Sequence, residues 1–507
     1  MFILRKQLRA FYLTIAGLLV IIVSTAAFFE KLMTLSLYEN RKYVLQAAKN
    51  TTMGCIYDCT GTLLGSGTSV GHETWNTDYS ECMGNLLGPS PELSKINAYY
   101  SRTYFADILF GQKQEYLSFS DLINTSSERT GGNVQLTIDA DLQKYVYDVL
   151  SLEFPKSAAV VLNYSTGDIM AAVSVPSFDM NDEASLHITE ETITDDKGQT
   201  RLNSYLDDER SVSKALHELY MPGSEIKGLL YTAALTYDPS LFDTSYTCTG
   251  RHTNQYGIEI KCAGETSHGF LSDMASALAE SCNGYAEMIF EKLTATEEGR
   301  NTLIRTMQAF GFDTSISYPG LVYSDGVFLG ADPIPEAYES SDAYVKSLSE
   351  KLSMETYSAI GGGQCRTTVF GLAAAYAAIA DRGVLVKPHL IKASSLYTDE
   401  PLTPYIGGDP KEVCSFDVAE KILDMMEAVT TDGTGKTMAL ERYRVCSKTG
   451  TAVHNDKSLE TLWATAVIDS PDCPYVVVVM LDDTDAYTQT SSGDAGRIVH
   501  KILQYLT

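Results

Sequence analysis

Two residue types set three apart carry the first chemical signal. The stretch Met221-Pro222-Gly223-Ser224-Glu225-Ile226-Lys227 places Ser224 and Lys227 just after a Pro-Gly pair that breaks whatever precedes it. An apolar run with helical spacing follows, through Ile226, Leu229, Leu230 and Ala233. Ser224 is therefore expected at the first turn of a helix, with Lys227 on the same face. A serine hydroxyl is a poor nucleophile unless a base stands beside it, and a buried lysine with a lowered pKa can be that base. The helix N-terminus adds free N–H groups and positive potential where an oxyanion would form. The same four-residue pattern occurs at Ser211-Val212-Ser213-Lys214, but without the Pro-Gly breaker, and it is read as a chance match.

Two further clusters give Ser224 its context. Ser281-Cys282-Asn283 and then Lys448-Thr449-Gly450 follow it in the chain. Each falls on a recognisable element. Ser272 to Leu293 reads as a helical segment holding Ser281, and Arg444 to Val453 reads as a strand holding Lys448. His454, just past that strand, has no evident acidic orienter and is read as a strand-end polar residue rather than the base of a Ser-His pair.

The surrounding elements must position these residues. Val134 to Ile138 alternates as a strand, and Asp139 can cap the amphipathic helix that follows through Leu142, Tyr145, Val146 and Val149. Ala158 to Tyr164, a Ser165-Thr166-Gly167 turn and Ile169 to Val175 give a hairpin between two buried strands. Gly361-Gly362-Gly363-Gln364 is a loop before an alanine-rich helix, Val369 to Ala380. Val418 to Val429 is a helix closed by Asp432-Gly433-Thr434-Gly435. Strands at Leu462 to Ile468 and Tyr475 to Leu481 and a helix from Ala495 to Leu506 complete the chain. Two strands early, three late and helices between predict an α+β unit whose antiparallel sheet is completed by both ends of the domain.

At 507 residues the chain has room for roughly two to four domains. Its net charge of -27 argues against nucleic-acid binding, which needs a basic surface. Ala10 to Phe29 carries no charge and is long enough to span a bilayer as a helix, with Arg5, Lys6 and Arg9 ahead of it. It reads as a signal anchor, with a cleaved signal peptide as the alternative. The ten cysteines match neither a small stapled scaffold nor paired zinc ligands in their spacing. Cys248 and Cys262 flank a polar loop and could form a local disulfide. Cys282 and Cys446 are expected as small buried thiols.

The three motifs, in this order, resemble the signature set of penicillin-binding proteins and serine β-lactamases, with Ser281-Cys282-Asn283 standing where that set has S-D-N. His268-Gly269, Asp432 to Gly435, Trp463, Leu136-Thr137-Ile138-Asp139 with Gln143, and the Thr166-to-Ile169 hairpin ending in Pro176-Ser177-Phe178 extend the resemblance to the transpeptidase domain. The anchor and small module before it resemble the class B, monofunctional proteins, since no stretch ahead of that module is large enough for a glycosyltransferase domain. The resemblance implies a five-stranded antiparallel sheet flanked by helices. It implies a cytoplasmic tail (1–9), a transmembrane anchor (10–29), a membrane-proximal pedestal and linker (30–155) and an extracytoplasmic transpeptidase domain (156–507). It implies a bacterial peptidoglycan D,D-transpeptidase that takes stem peptides ending in D-Ala-D-Ala, is inhibited by β-lactams, and works beside a SEDS-type membrane glycosyltransferase and other cell-wall synthesis proteins. No cofactor or metal is implied.

The implied roles are as follows. Ser224 is the nucleophile, Lys227 its base, Ser281 a proton relay and Asn283 a donor to the substrate amide. Lys448 attracts the substrate carboxylate and disfavours charge on Lys227. Thr449 and Thr451 bind that carboxylate, and Gly450 allows close approach of strand and substrate. The backbone N–H groups of Ser224 and Thr451 form the oxyanion hole. The sequence departs from the family at Met53 to Gly61, where Met53 and Cys59 stand in place of the two arginines of the usual pedestal opening. A β-lactamase and a catalytically silent scaffold are the rival readings. The first lacks a recognisable deacylating base, and the second would be expected to have lost Ser224 or Lys448.

Overall fold

The structure is a computed structural model, and it describes residues 51–68, 72–90, 106–111, 129–194, 200–318, 321, 323–329, 353–453, 459–485 and 492–507. The expected membrane anchor (10–29) and His454 lie outside the described residues. Among the described residues, no helix is long and apolar enough to cross a membrane.

The core is built on a five-stranded sheet in the order Val445–Val453, Leu459–Ile468, Tyr475–Asp485, Ser157–Asn163, Ile169–Val175. Every neighbouring pair is antiparallel. The sequence explains why this sheet lies inside. Side chains alternate between the two faces of a strand, yet Val476 to Leu481 and Ala158 to Leu162 are all fully buried. Both faces must therefore be covered, which is what unbroken apolar runs specify. The Ser492–Leu506 helix packs on the Leu459–Ile468 and Tyr475–Asp485 strands, and Ala140–Glu153 packs on Ile169–Val175. Val369–Ala380 packs on Tyr475–Asp485 and Ser157–Asn163. That helix has no polar face and is buried all round, as an enclosed helix must be.

A second sheet of seven strands carries the N-terminal module. Thr51–Tyr57 and Leu63–Gly67 form its antiparallel hairpin, Val134–Leu136 runs parallel to the first, and Ile391–Ser394 pairs antiparallel with Val134–Leu136. The expected division between residues 155 and 156 is thus crossed by a sheet that takes a strand from far down the chain. Thr137 joins the two regions. Its hydroxyl donates to the carbonyl oxygens of Ile169, at 2.8 Å, and of His389, at 3.0 Å.

The helical segment expected from Ser272 to Leu293 is two helices, Met274–Ala279 and Asn283–Thr294. Ser281 breaks it with a left-handed backbone (φ 52°), a conformation uncommon for a residue with a Cβ. Sequence periodicity did not reveal the break, because no glycine or proline marks it. The polar stretch at 180–210 contains a β-hairpin, Ile188–Thr194 with Thr200–Leu206.

Asp139 caps the Ala140–Glu153 helix, its carboxylate accepting the Leu142 N–H at 3.0 Å. Asp139→Ala is expected to lower unfolding stability by about 1 kcal/mol, as lost N-caps do, without altering the site below. Denaturant unfolding of the variant checks this.

Candidate active site

Ser224 lies in a 3-10 turn, Gly223–Glu225, that runs directly into the Ile226–Tyr237 helix. The turn is held from three sides. Trp463 Nε1 donates to the Met221 carbonyl at 2.9 Å, Tyr376 Oη donates to the Glu225 carbonyl at 2.6 Å, and the Gly223 N–H donates to the Gly361 carbonyl at 3.1 Å. Gly361 is explained by this contact, since a Cβ there would come within 2.0 Å of the Gly223 carbonyl oxygen. Gly450 (φ 90°) serves the same turn, because a Cβ there would lie 2.7 Å from the Pro222 carbonyl oxygen. In this structure its close neighbour is the serine turn itself.

Lys227 is fully buried in a helix whose other residues from Ile226 to Leu235 are also buried. Its Nζ lies 2.9 Å from Ser224 Oγ, 2.5 Å from the Ser281 carbonyl oxygen and 2.6 Å from Asn283 Oδ1. The Asn283 amide is oriented by its Nδ2, which donates to the Lys261 carbonyl at 2.7 Å. Two of the three close partners of Lys227 are oxygens that can only accept. A neutral amine has two N–H bonds and one lone pair. The two N–H groups go to the Ser281 carbonyl and Asn283 Oδ1, and the lone pair is left facing the Ser224 hydroxyl. Burial, and then the charge of Lys448, hold the Lys227 ammonium down to about 7. Ser281 Oγ lies 3.3 Å from Lys227 Nζ and 3.0 Å from Lys448 Nζ, so it joins the two lysines.

Lys448 is also fully buried, on the Val445–Val453 strand, and donates to its neighbour's carbonyl, that of Thr449, at 2.6 Å. The Thr449 and Thr434 hydroxyls are 2.7 Å apart, which ties the strand to the Asp432-to-Gly435 turn. Thr451 is exposed on the same strand. All the site residues expected from the sequence therefore come from one turn, one helix start and one strand.

Sequence reading missed Glu225, the second residue of the serine motif. Its side chain is fully buried, with Thr465 and Lys448 as the polar groups that act on its carboxyl. Burial pushes its carboxyl up to about 8, and the charge on Lys448 opposes that rise. In turn, burial lowers Lys448 to about 8 while Glu225 raises it. When ionised, Glu225 favours the cationic form of Lys448. The one available signal was an acidic residue in an otherwise apolar helix start. The chance match upstream is spent elsewhere, since Ser211 Oγ donates to the Asp208 carbonyl at 2.7 Å and Lys214 pairs with Glu209 at 3.2 Å.

The local disulfide considered for Cys248 and Cys262 is absent. Both thiols are free, with their sulfurs 3.7 Å apart, against about 2.05 Å for a bonded pair.

A family profile described as the penicillin binding protein transpeptidase domain matches residues 157–504. The peptidoglycan D,D-transpeptidase PbpA of Mycolicibacterium smegmatis is 27% identical over 422 residues, covering 78% of this chain and 78% of that protein. Peptidoglycan D,D-transpeptidase MrdA of Haemophilus influenzae is 27% identical over 435 residues, covering 79% of this chain and 61% of that protein. Among solved structures, penicillin-binding protein A from M. tuberculosis as an imipenem acyl-enzyme complex superposes with a TM-score of 0.68 at 21% identity, covering 90% of this chain and 99% of that one. With the sheet, the buried lysine pair and the ordered motifs, these matches show that the chain belongs to the penicillin-binding protein transpeptidase family.

Proposed function

We propose that this protein cross-links peptidoglycan as a serine D,D-transpeptidase and is acylated by β-lactams. The observation that carries this reading is the buried Lys227 Nζ lying 2.9 Å from Ser224 Oγ, with two acceptor-only oxygens as its other close partners. Ser224 attacks the carbonyl carbon of the D-Ala-D-Ala bond, and its proton passes to Lys227. Backbone N–H groups of Ser224 and Thr451 hold the developing oxyanion, a contribution of about 3–4 kcal/mol per donor in comparable sites. Ser281 relays the proton to the leaving amine. D-Ala departs, an amine of a neighbouring stem peptide attacks the ester carbonyl, and Ser224 is released as the cross-link forms. Asn283 bonds the substrate amide, and Lys448 with Thr449 and Thr451 receives the terminal carboxylate. The names of PbpA and MrdA and the acyl-enzyme in the solved neighbour support this chemistry.

The uncharged segment from Ala10 to Phe29 supports attachment to the bacterial membrane with the catalytic domain outside. In that setting the substrate strands come from a membrane glycosyltransferase, for which a SEDS-type partner is the family's expectation.

Fluorescent penicillin is expected to label the wild-type chain and to leave Ser224→Ala unlabelled. An unlabelled wild type, or a labelled variant, would remove Ser224 from its role. Rapid turnover of penicillin by purified protein would identify a β-lactamase instead.

Only the neutral Lys227 amine can accept a proton. The acylation rate should therefore rise as pH increases through about 7 and fall again as Lys448 loses its charge near about 8. Glu225→Gln removes the carboxylate that favours the Lys448 cation, so the alkaline limb should move to lower pH. Rates of labelling across pH for both proteins test this, and an unmoved alkaline limb would separate Glu225 from Lys448.

A further inference from the structure

The middle residue of the Ser281-Cys282-Asn283 motif does not pack as an isolated thiol. Cys248, Cys262, His268 and Cys282 bring three sulfurs and His268 Nδ1 within 4.8 Å of one another. They come from four places in the chain. Cys248 ends the Tyr246–Cys248 strand, Cys262 follows the Glu259–Lys261 strand, His268 precedes the Gly269–Leu271 strand, and Cys282 caps the Asn283–Thr294 helix.

Three of the six separations match those of ligands around one ion, and the others are no more than 4.8 Å. Cys248 Sγ and Cys262 Sγ are 3.7 Å apart, Cys262 Sγ and Cys282 Sγ 3.8 Å, and Cys248 Sγ and His268 Nδ1 3.3 Å. A tetrahedral zinc ion with bonds of about 2.3 Å to sulfur and about 2.05 Å to nitrogen sets sulfurs about 3.8 Å apart and nitrogen about 3.5 Å from sulfur. The sulfurs also sit where thiolates are stabilised by outer-shell donors. The Gly250 N–H points at Cys248 Sγ at 3.4 Å and the Tyr285 N–H at Cys282 Sγ at 3.5 Å. The three cysteines are buried. The other cysteines join no such group among the described residues.

We propose that Cys248, Cys262, His268 and Cys282 bind one zinc ion, which fastens the Ser281–Asn283 turn to the strands beside it. Three thiolates and an imidazole suit zinc, which has no redox chemistry of its own and accepts this tetrahedral set. On binding, each thiol gives its proton to solvent and the sulfur lone pair to the metal. Four protein ligands leave no open position, so the ion is structural and performs no step of acyl transfer. Its effect on the site runs through its neighbours in sequence. Cys282 lies between Ser281, whose carbonyl takes one Lys227 N–H, and Asn283, whose Oδ1 takes the other. Cys262 follows Lys261, whose carbonyl orients the Asn283 amide. One ion therefore fixes both segments that leave the Lys227 lone pair for Ser224, and the cysteines are positioning residues.

The test uses full-length protein purified in detergent without chelator. Elemental analysis should find about one zinc per chain, as a closed four-ligand site requires. Cobalt(II) exchanged into the site should show the visible absorption of a tetrahedral thiolate centre. Cys248→Ser and His268→Ala should lose the metal, and His268→Cys, which restores a soft ligand, should keep it. Stripping the wild type should slow acylation by fluorescent penicillin about tenfold or more, the usual scale for a disturbed metal environment, and zinc should restore it. Metal-free wild-type protein that takes up no cobalt, or a Cys248–Cys262 disulfide found by mass spectrometry, would overturn the site. Bound zinc whose removal leaves acylation unchanged would overturn the positioning role. If the variants fail to fold, the zinc content and cobalt spectrum of the wild type decide alone.

Discussion

The site depends on the burial of one amine. Lys227 sits in a helix start with almost no water to solvate a charge, so the folded state itself favours the neutral form. Desolvation alone would give a neutral lysine with its lone pair in no particular direction. The Ser281 carbonyl and the Asn283 side chain supply direction, because each can only accept. The geometry therefore couples an unfavourable burial to a fixed placement of the amine beside Ser224. The same logic explains why the Ser281–Asn283 segment is a turn between two helices rather than part of one. A helical Ser281 carbonyl would be directed along the helix axis toward a later N–H, whereas here it is free to meet Lys227.

The second lysine needs the opposite treatment. In the proposed mechanism a cation must persist at Lys448 to meet a carboxylate, yet it is buried as completely as Lys227. Glu225 resolves this by placing a carboxyl near Lys448 without hydrogen-bonding to it, so the carboxyl acts through the low-dielectric interior. Two buried lysines bridged by one serine hydroxyl thus have different electrostatic surroundings, since Lys448 lowers the pKa of Lys227 while Glu225 raises that of Lys448. The chain's large net negative charge plays no part in that distinction, since surface charges are screened over about 10 Å in ordinary salt.

Much of this was legible beforehand, and the exceptions have physical causes. The central sheet was readable because strands covered on both faces must be apolar throughout, as in Tyr475 to Leu481. The three motifs were readable only together, because their order matches the signature set of a known family, whereas each alone would pass as surface helix residues, a helix cap or a turn. The break at Ser281 was not readable, since periodicity carries through a non-glycine residue with a left-handed backbone. Glu225 gave no signal of its burial, since acidic residues are common in the first turn of a helix. The cysteine and histidine cluster was invisible because its members lie on separate strands and loops, without the close pairs that mark zinc ligands in sequence. The strand at Ile391–Ser394 was missed because its partner, Val134–Leu136, lies some 250 positions away, beyond any local pattern.

That distant strand bears on how the molecule can be divided. Ile391–Ser394 has one edge on Val134–Leu136 and the other on the short Thr403–Pro404 strand. A protein cut at residue 156 would keep Ile391–Ser394 and lose the longer of its two partners. It would then present bare N–H and C=O groups along one side, the template on which chains stack edge to edge. The N-terminal module therefore covers a sheet edge that the catalytic half would otherwise expose.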